Sequence, residues 1–349
     1  MKTSFISNQA MQNAMRLTIS RGQNEVQKLQ TEIVTGRHAD VGLALGAQTS
    51  TSVRLNQDVA RLQNIRDSNS IVTQRLSASQ ASLSLMSDSA QQMLEAFIGV
   101  KGADDANRLF IARRDVESAL DAFTVAINTS ANGEYLFAGI NNNIKPLDDY
   151  QAAGSAAKAA FDAAFFAKFG HTQTDLAAGA ISVTDMQDFL DDLEASFASV
   201  DWNTNWSSAS DVNISSRISK NEVVNSSTNA NTAGMRSFAL AAVIGIELMN
   251  APISSEVRTT VNAAAIKHAG SAVTGIDSER SGLGVSENRI SKANVALESQ
   301  IRIITLHLGD VEGVDAYEAS TRMNSLLAQV ETSYKLTARI QQMSLMNYL

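Results

Sequence analysis

Proline is nearly absent from this chain, because only Pro146 and Pro252 occur among its 349 residues. Residues 1–145 and 253–349 contain none. A proline inside an α-helix costs about 3 kcal/mol, so long stretches without one permit long uninterrupted helices. Both ends of the chain are therefore free to form helices much longer than usual.

The clearest hydrophobic period runs from about residue 53 to residue 99. Steps that alternate between three and four residues select eleven positions, of which nine are apolar: Leu62, Ile65, Asn69, Val72, Leu76, Ser79, Leu83, Met86, Ala90, Met93 and Phe97. A heptad seam of this length is typical of a long helix in a bundle or coiled coil. The polar positions Asn69 and Ser79 either set the register of the seam or lie at its edge.

More helices are predicted on both sides of the centre. After glycines at 99 and 102, apolar residues at helical spacing predict a second helix that ends near Asn132-Gly133, a glycine end signal. Towards the C-terminus, helices are expected over 232–249 and 255–270, followed by a near-heptad stripe from 290 to 311. The predicted bundle core consists of Leu62, Val72, Leu76, Leu83, Met86, Phe97, Leu120, Phe123, Leu297, Ile304 and Leu308.

Weaker apolar stripes lie near the two ends of the chain. The first consists of Met15, Ile19, Val26, Leu29 and Ile33, and the second of Met323, Leu327, Val330 and Tyr334, continuing toward Leu349. A single isolated helix with so little apolar surface is marginal in water, so each stripe needs a partner. The nearest candidate partner is the other end of the chain, which predicts that the termini lie close together.

The acidic charge is concentrated in the middle of the chain. Residues 146–232 hold 12 Asp and Glu against 4 Lys and Arg, a difference of −8 that equals the net charge of the whole chain. This segment reads as a small inserted domain of mixed structure. Its acidity fits an insert that faces water while the neutral ends face close neighbours, although a loop-rich insert also collects acids by itself.

Composition and motifs exclude several classes of function. A pI near 5.1 argues against nucleic acid as a partner, and no run of about 18 apolar residues predicts a membrane span. The chain has no cysteine, and its four histidines, at positions 38, 171, 268 and 307, show no metal-binding spacing. No nucleotide-binding or nucleophile motif occurs. We therefore predict no enzyme activity, no cofactor and no metal site.

The acidic run at 310–318 is interpreted as a solvated or arginine-paired turn. The N-terminus is expected to lack a cleavable secretion signal.

Two groups of residues carry a resemblance to a known family. The segment NTSANGEYLFAG at 128–139 resembles the motif that closes the first helical hairpin of bacterial flagellins. The run SGLGVSENRI from Ser281, with Asp310, Glu312 and Asp315 after it, resembles the family's C-terminal helix signature. The final residues, from Tyr334 to Leu349, resemble hook–filament junction members more than filament flagellins. Residues 35–42 replace the usual flagellin sequence after the first helix, which weakens the resemblance to filament flagellins and leaves the resemblance to the junction group standing.

The resemblance implies a fold and a set of partners. It implies a mainly α protein, a long-helix coiled-coil bundle built from both N- and C-terminal segments, with a small α+β insert. It divides the chain into a terminal coiled coil (1–40 with 316–349), a helical bundle (41–140 with 233–315) and an outer insert (141–232). The two terminal stripes and Leu349 would form the assembly interface. Partners would be further copies, a neighbouring hook-associated protein, flagellin and an export chaperone, in an extracellular flagellum reached by type III export.

Three alternatives remain open at this point. A filament flagellin would use the same terminal packing and differ in copy number. A type III needle-tip-like secreted coiled-coil protein would lack the two family motifs at these relative positions. An enzyme carried by the insert would show a pocket with clustered titratable groups within 141–232.

Overall fold

The computed structural model describes residues 8–199 and 201–346. Within them, the helices are α1 (Asn8–Thr35), α2 (Val41–Leu45), α3 (Thr49–Gly99), α4 (Ala106–Ile127), α5 (Ala156–Phe169), α6 (Val183–Ala198), α7 (Asp201–Asn205), α8 (Ala233–Leu248), α9 (Ser255–Glu312) and α10 (Ala316–Met346). Short 3₁₀ turns occupy Gly46–Gln48 and Leu176–Ala180. The strands β1 (Ser130–Ala131), β2 (Glu134–Tyr135), β3 (Ser215–Arg217) and β4 (Val223–Asn225) form two antiparallel hairpins, β1 with β2 and β3 with β4. The prediction of a mainly α fold with a small mixed insert is confirmed.

Contacts divide the chain into two compact units. One combines the described residues up to Asn64 with those from Leu297 onward, and the other spans Ile65–Ala296. Each boundary falls inside one of the two longest helices, α3 and α9. The division into three parts expected from the sequence stays a prediction.

In the smaller unit, α1 packs against α10 and the two helices run antiparallel. The connections to α3 and from α9 meet in an isolated antiparallel bridge between Arg37 and Gly313. Backbone amides reinforce it, because His38 N donates to Glu312 O over 3.0 Å and Val314 N donates to Gly36 O over 3.0 Å. The chain segments that lead into and out of the terminal helices are therefore tied together.

In the larger unit, α4 and α8 form a central contact. The rings of Phe123 and Phe238 stack with their centroids 3.8 Å apart, and both side chains are fully buried. The apolar core continues from these helices into the middle segment, where buried Phe165, Trp202 and Trp206 belong to the same cluster. The acidic helix expected at about 185–199 is α6, which packs against α8.

The polar positions of the heptad seam lie inside it. Asn69 and Ser79 are both buried. Asn69 Nδ2 donates to Asn294 Oδ1 over 2.7 Å and to the backbone oxygen of Ile218 over 2.9 Å, which links α3 to α9 and to the β3–β4 hairpin. A buried amide with specific partners disfavours slipped alignments, so this geometry favours a role in register.

The predicted end of the second helix is wrong. α4 ends at Ile127, and Asn128 follows as its cap, with its side-chain amide donating to the carbonyl oxygen of Leu147 and accepting from the Leu147 amide. Asn132 and Gly133 instead form the turn between β1 and β2, with φ of 54° and 84°. Two adjacent positive φ values are what a tight hairpin turn needs, and Asn-Gly is the pair that adopts them most readily.

Candidate self-assembly surface

Contacts between α1 and α10 extend along the terminal helix pair. Thr337 Oγ1 lies 3.6 Å from Met15 Sδ, and Gln23 Nε2 donates to Tyr334 Oη over 2.8 Å. Next to Gln23, a Cβ built on Gly22 would lie 2.7 Å from Val330 Cγ2. Only a glycine lets the two helices approach this closely at that point.

Gly22 completes the heptad of α1. The predicted stripe skips from position 19 to position 26, and residue 22 is the missing step. Ile19 and Leu29 are buried, whereas Met15, Val26 and Ile33 are half-buried. The whole α1 stripe therefore faces α10 within the same chain.

The stripe predicted on α10 combines two faces of that helix. Between residues 323 and 339, the half-buried positions are Met323, Leu326, Val330, Ser333 and Thr337, at alternating steps of three and four. Leu327 and Tyr334 lie one position beyond this seam and are 46% and 50% exposed. Sequence inspection missed Leu326, Ser333 and Thr337, because two of them are polar and Leu326 lies beside an equally apolar neighbour. Leu349 lies outside the described residues.

Exposed apolar side chains remain on the helix pair. Leu17 on α1 and Leu327, Tyr334 and Leu336 on α10 are each about half exposed. A groove of about 340 Å³ lies beside Leu336, lined by Met15, Thr18, Ala328, Gln329, Thr332, Ser333 and Leu336. Leu327 and Tyr334 flank the other side of the α10 seam. Because exposed apolar surface around a helix pair marks an interaction site when several such residues occur, the outer surface of this pair is the candidate assembly surface.

Ion pairs within single helices lie on the surface of this helix pair. The carboxylate of Glu331 accepts from Lys335 Nζ at 2.8 Å, and this hydrogen bond lowers the pKa of Glu331. Lys28 and Glu25 on α1 form a looser exposed pair, 4.0 Å apart. Both pairs lie along single helices and balance their own charge, and Arg16 and Arg21 of α1 are also exposed.

A buried carboxylate lies next to the Arg37–Gly313 bridge, where α1 ends and α10 begins. The side chain of Glu312, at the end of α9, is 4% exposed. Its Oε2 accepts from Arg37 Nη1 over 3.1 Å, while its Oε1 accepts from Asn56 Nδ2 over 3.1 Å and from Ser52 Oγ. We call these four residues the Glu312 cluster. All its partners sit within the first 60 residues of the chain, so the cluster joins the start of α3 to the end of α9.

The acidic run at 310–318 divides into separate roles. Glu312 is paired with arginine, and Asp315 caps α10, because its Oδ1 accepts from the Tyr317 amide over 2.8 Å. Within residues 8–199 and 201–346, no group of three His, Cys, Asp or Glu residues is arranged to hold a metal. In the same part of the chain, no helix combines the length and apolar character that crossing a bilayer requires.

The residues predicted for the bundle core fall in both units. Leu76, Leu83, Met86, Phe97, Leu120 and Phe123 are buried in the larger unit, and Val72 packs half-buried against the same core. Leu62, Leu297 and Leu308 are buried in the smaller unit, where Ile304 is half-buried. Their assignment to one common bundle stays a prediction.

Two family models match the chain at its two ends. The bacterial flagellin N-terminal helical region matches residues 6–142, and the bacterial flagellin C-terminal helical region matches residues 266–349. Together they cover more than half of the sequence. The chain belongs to the bacterial flagellin family. The unmatched part contains α5–α8, the strands β3 and β4, and the start of α9.

Flagellin-family proteins are structural and non-enzymatic, so membership makes this chain a flagellar structural protein that associates with itself and with other flagellar components outside the cell. A flagellar hook-associated protein of Vibrio parahaemolyticus has a similar fold, with a TM-score of 0.53 and 10% identity. That likeness covers 76% of this chain and 97% of the Vibrio chain, and at this identity it concerns the fold alone. No curated protein sequence matches the chain.

Proposed function

We propose that this flagellin-family chain joins the flagellar hook to the filament by polymerising through its paired terminal helices. The observation that carries the proposal is the set of apolar side chains that α1 and α10 leave exposed after packing on each other. Further copies, stacked along the flagellum, would bury Leu17, Leu327, Tyr334 and Leu336 and so be held by the hydrophobic effect.

The junction role is favoured over the filament role by sequence at both ends. Residues 35–42 replace the usual flagellin run after the first helix, and in the structure this segment supplies Arg37 to the Glu312 cluster. The last residues, up to Leu349, resemble junction proteins. The related fold of a Vibrio hook-associated protein is consistent with this choice. A filament flagellin is the second candidate, because it would use the same helix pair.

A further part of the proposal concerns partners and export. An adaptor of this kind would contact a neighbouring hook-associated protein on one side and flagellin on the other. It would reach the growing tip by type III export, with a chaperone that covers the terminal helices beforehand. The weak apolar seam of α1 supports chaperone binding before assembly. A helix that buries so little surface by itself is stabilised mainly by contact with a neighbour.

A deletion strain tests the junction role directly. Removal of the gene should leave hooks on the cells, abolish filaments and release flagellin into the medium. Complementation with the full chain should restore filaments, whereas a chain that lacks residues 320–349 should not. Filaments that persist in the deletion strain would overturn the proposal. If instead this chain is itself the bulk protein of purified filaments, the filament role is correct.

A further inference from the structure

The larger unit contains a partly open cavity of about 130 Å³ between α5, α6 and α7. Its walls are aromatic and aliphatic: Phe161, Phe197, Trp202 and Trp206 border it, and each of these side chains is buried. Val243 of α8 also lines it. The family models do not reach this part of the chain, so family membership assigns it no role.

The cavity exists because α5 presents alanines to the tryptophans. Ala157, Ala160 and Ala164 line it, at steps of three and four that place them on one face of α5. A larger aliphatic residue at any of these positions would occupy the space. An enclosed apolar cavity of about 150 Å³ binds benzene, so a volume of this size accommodates one aromatic ring.

The aromatic walls are fixed by their own contacts. Trp206 is sandwiched between Tyr150 and Trp202, with ring centroids 5.2 and 5.6 Å away and planes within 9° of parallel. Trp202 Nε1 donates to Asn231 Oδ1 over 2.8 Å, and the Arg236 guanidinium lies 5.8 Å from the ring centre of Trp202. The site is therefore formed before any ligand arrives, which lowers the entropy cost of binding.

The opening of the cavity is polar and carries an acid. Among the lining residues Ala164 and Asp201 are exposed, and Asn205 is half-exposed. The Asp201 carboxylate lies at this opening within a segment whose net charge is −8. A carboxylate at the mouth of an aromatic cavity favours a ligand with an apolar ring and a cationic or hydrogen-bond-donating head.

We propose that the cavity between α5, α6 and α7 binds a single aromatic ring that carries an ammonium head group. The ring fills the space left by the three alanines and contacts Phe161, Phe197 and the edges of the two tryptophans. The ammonium group remains at the opening, where it pairs with Asp201. This binding activity is separate from assembly through the terminal helices.

Tryptophan fluorescence of the full-length chain reports on this site, because the only two tryptophans of the sequence both border the cavity. Benzylamine should cause a saturable change in this emission. Benzoate, which has the same ring with the opposite charge, should bind more weakly. Replacing the acid (Asp201→Asn) should reduce the preference for benzylamine by about two- to fivefold, the range of an exposed ion pair.

Filling the cavity provides the decisive comparison. Ala160→Leu should weaken benzylamine binding at least about tenfold, because its side chain takes the apolar space that the ring would bury. Ala164→Leu should obstruct the opening from an exposed position, so it tests the site even if Ala160→Leu fails to fold. Ala163→Leu, on the same helix but exposed and outside the cavity, is the matched control and should bind as the parent does. A lack of saturable binding by the parent chain, or equal binding by the Ala163, Ala160 and Ala164 variants, would overturn the proposal.

Discussion

Arg37 Nη1 lies 3.1 Å from Glu312 Oε2 and joins two residues that are 275 positions apart in the sequence. The glutamate side chain is almost fully buried, whereas the arginine is half exposed. Ser52 and Asn56 on α3 occupy the other carboxylate oxygen. A buried carboxylate is costly unless its oxygens are all satisfied, and here they are.

Replacing Glu312 by glutamine should destabilise the smaller unit. The amide keeps the shape of the side chain but places an NH₂ group against either Arg37 or the pair Ser52 and Asn56, all of which donate to the carboxylate. We therefore expect a loss of about 1.5–3 kcal/mol, the range for hydrogen bonds to a charged group. Urea unfolding measures the loss in the free energy of unfolding, and hydrogen exchange of residues 36–56 shows where protection falls. Asp310→Asn changes an exposed acid on the same helix and should leave the unfolding free energy and the protection unchanged. Equal stability of the two variants would show that the cluster contributes nothing.

The seam of α3 supports a second prediction. Leu76 is completely buried, so Leu76→Asp should destabilise the larger unit by at least about 3 kcal/mol, through the lost packing and the unpaired buried charge. Ile71 lies on the same helix and is 65% exposed, so Ile71→Asp should change stability by no more than about 0.5 kcal/mol. Circular dichroism during thermal melting separates the two. An unchanged melting temperature for Leu76→Asp would contradict the heptad assignment.

The sequence predicts those parts of the fold that depend on residues close together in the chain, and it fails where the deciding contact joins residues far apart. The α3 seam was predictable because a heptad is a local pattern that repeats within one helix. The end of α4 was misplaced because Asn132-Gly133 is equally suitable as a helix end and as a hairpin turn, and the neighbouring strand decides between them. Glu312 looked like one member of an acidic run, since its partners lie more than 250 residues away.

The candidate surface was partly predictable for the same reason. The α1 stripe was found, and its one missing step, Gly22, could have been recognised as a gap in an otherwise regular heptad. On α10, periodicity alone did not separate Leu326 from Leu327, because adjacent leucines fit two overlapping stripes. Which of them faces α1 is set by the packing of the helix pair.

The close contact at Gly22 makes a third prediction. A glycine in the middle of a helix costs about 1 kcal/mol relative to alanine, so Gly22→Ala would stabilise an isolated α1. In the helix pair, the new Cβ meets Val330, and overpacking of this kind costs about 1–3 kcal/mol. We expect the clash to prevail and hydrogen-exchange protection of α1 to fall.

Shortening the opposing residue should reverse that effect. Val330→Ala removes the atom that the Cβ would touch, so the double variant should regain the protection that Gly22→Ala loses. Gly282→Ala, in α9 with no atom within 4 Å of its Cβ, is the control and should only stabilise. If Gly22→Ala behaves like Gly282→Ala, the two helices do not meet at this glycine.

The exposed residues of α10 test the assembly surface. Leu327→Asp places a charge on the face that further copies would bury, so it should abolish polymerisation and motility while the monomer keeps its melting temperature. Leu176→Asp changes an even more exposed leucine, 86% accessible, in the turn before α6. It should leave polymerisation intact. Electron microscopy and sedimentation show whether each variant forms polymers. Polymers formed by Leu327→Asp would exclude the surface around Leu327 from the assembly interface.

The buried imidazole of His268 predicts a pH dependence of stability. Burial lowers the pKa of His268 from its ordinary value of 6.5, and Lys267 on the same helix lowers it further, while Glu194 of α6, 3.6 Å away, opposes both. Arg236 of α8 and His268 both line a second cavity, which is separate from the one between α5, α6 and α7. The folded chain therefore binds a proton less readily than the unfolded chain.

The direction of the pH dependence follows from this difference in proton binding between the folded and unfolded chains. Above about pH 6.5 both states hold a neutral imidazole and His268 has no effect, whereas below it the unfolded state takes up the proton first and stability falls. The pKa of Glu194 is lowered by its hydrogen bond to Lys267, so its own loss of stability begins only nearer its ordinary value of 4.5. His268→Gln should therefore flatten the decline in melting temperature between pH 7 and pH 5 without changing the steeper decline below it. His307→Gln, at an exposed histidine, should decline as the parent does. A decline of the same size in His268→Gln would place the titrating group elsewhere.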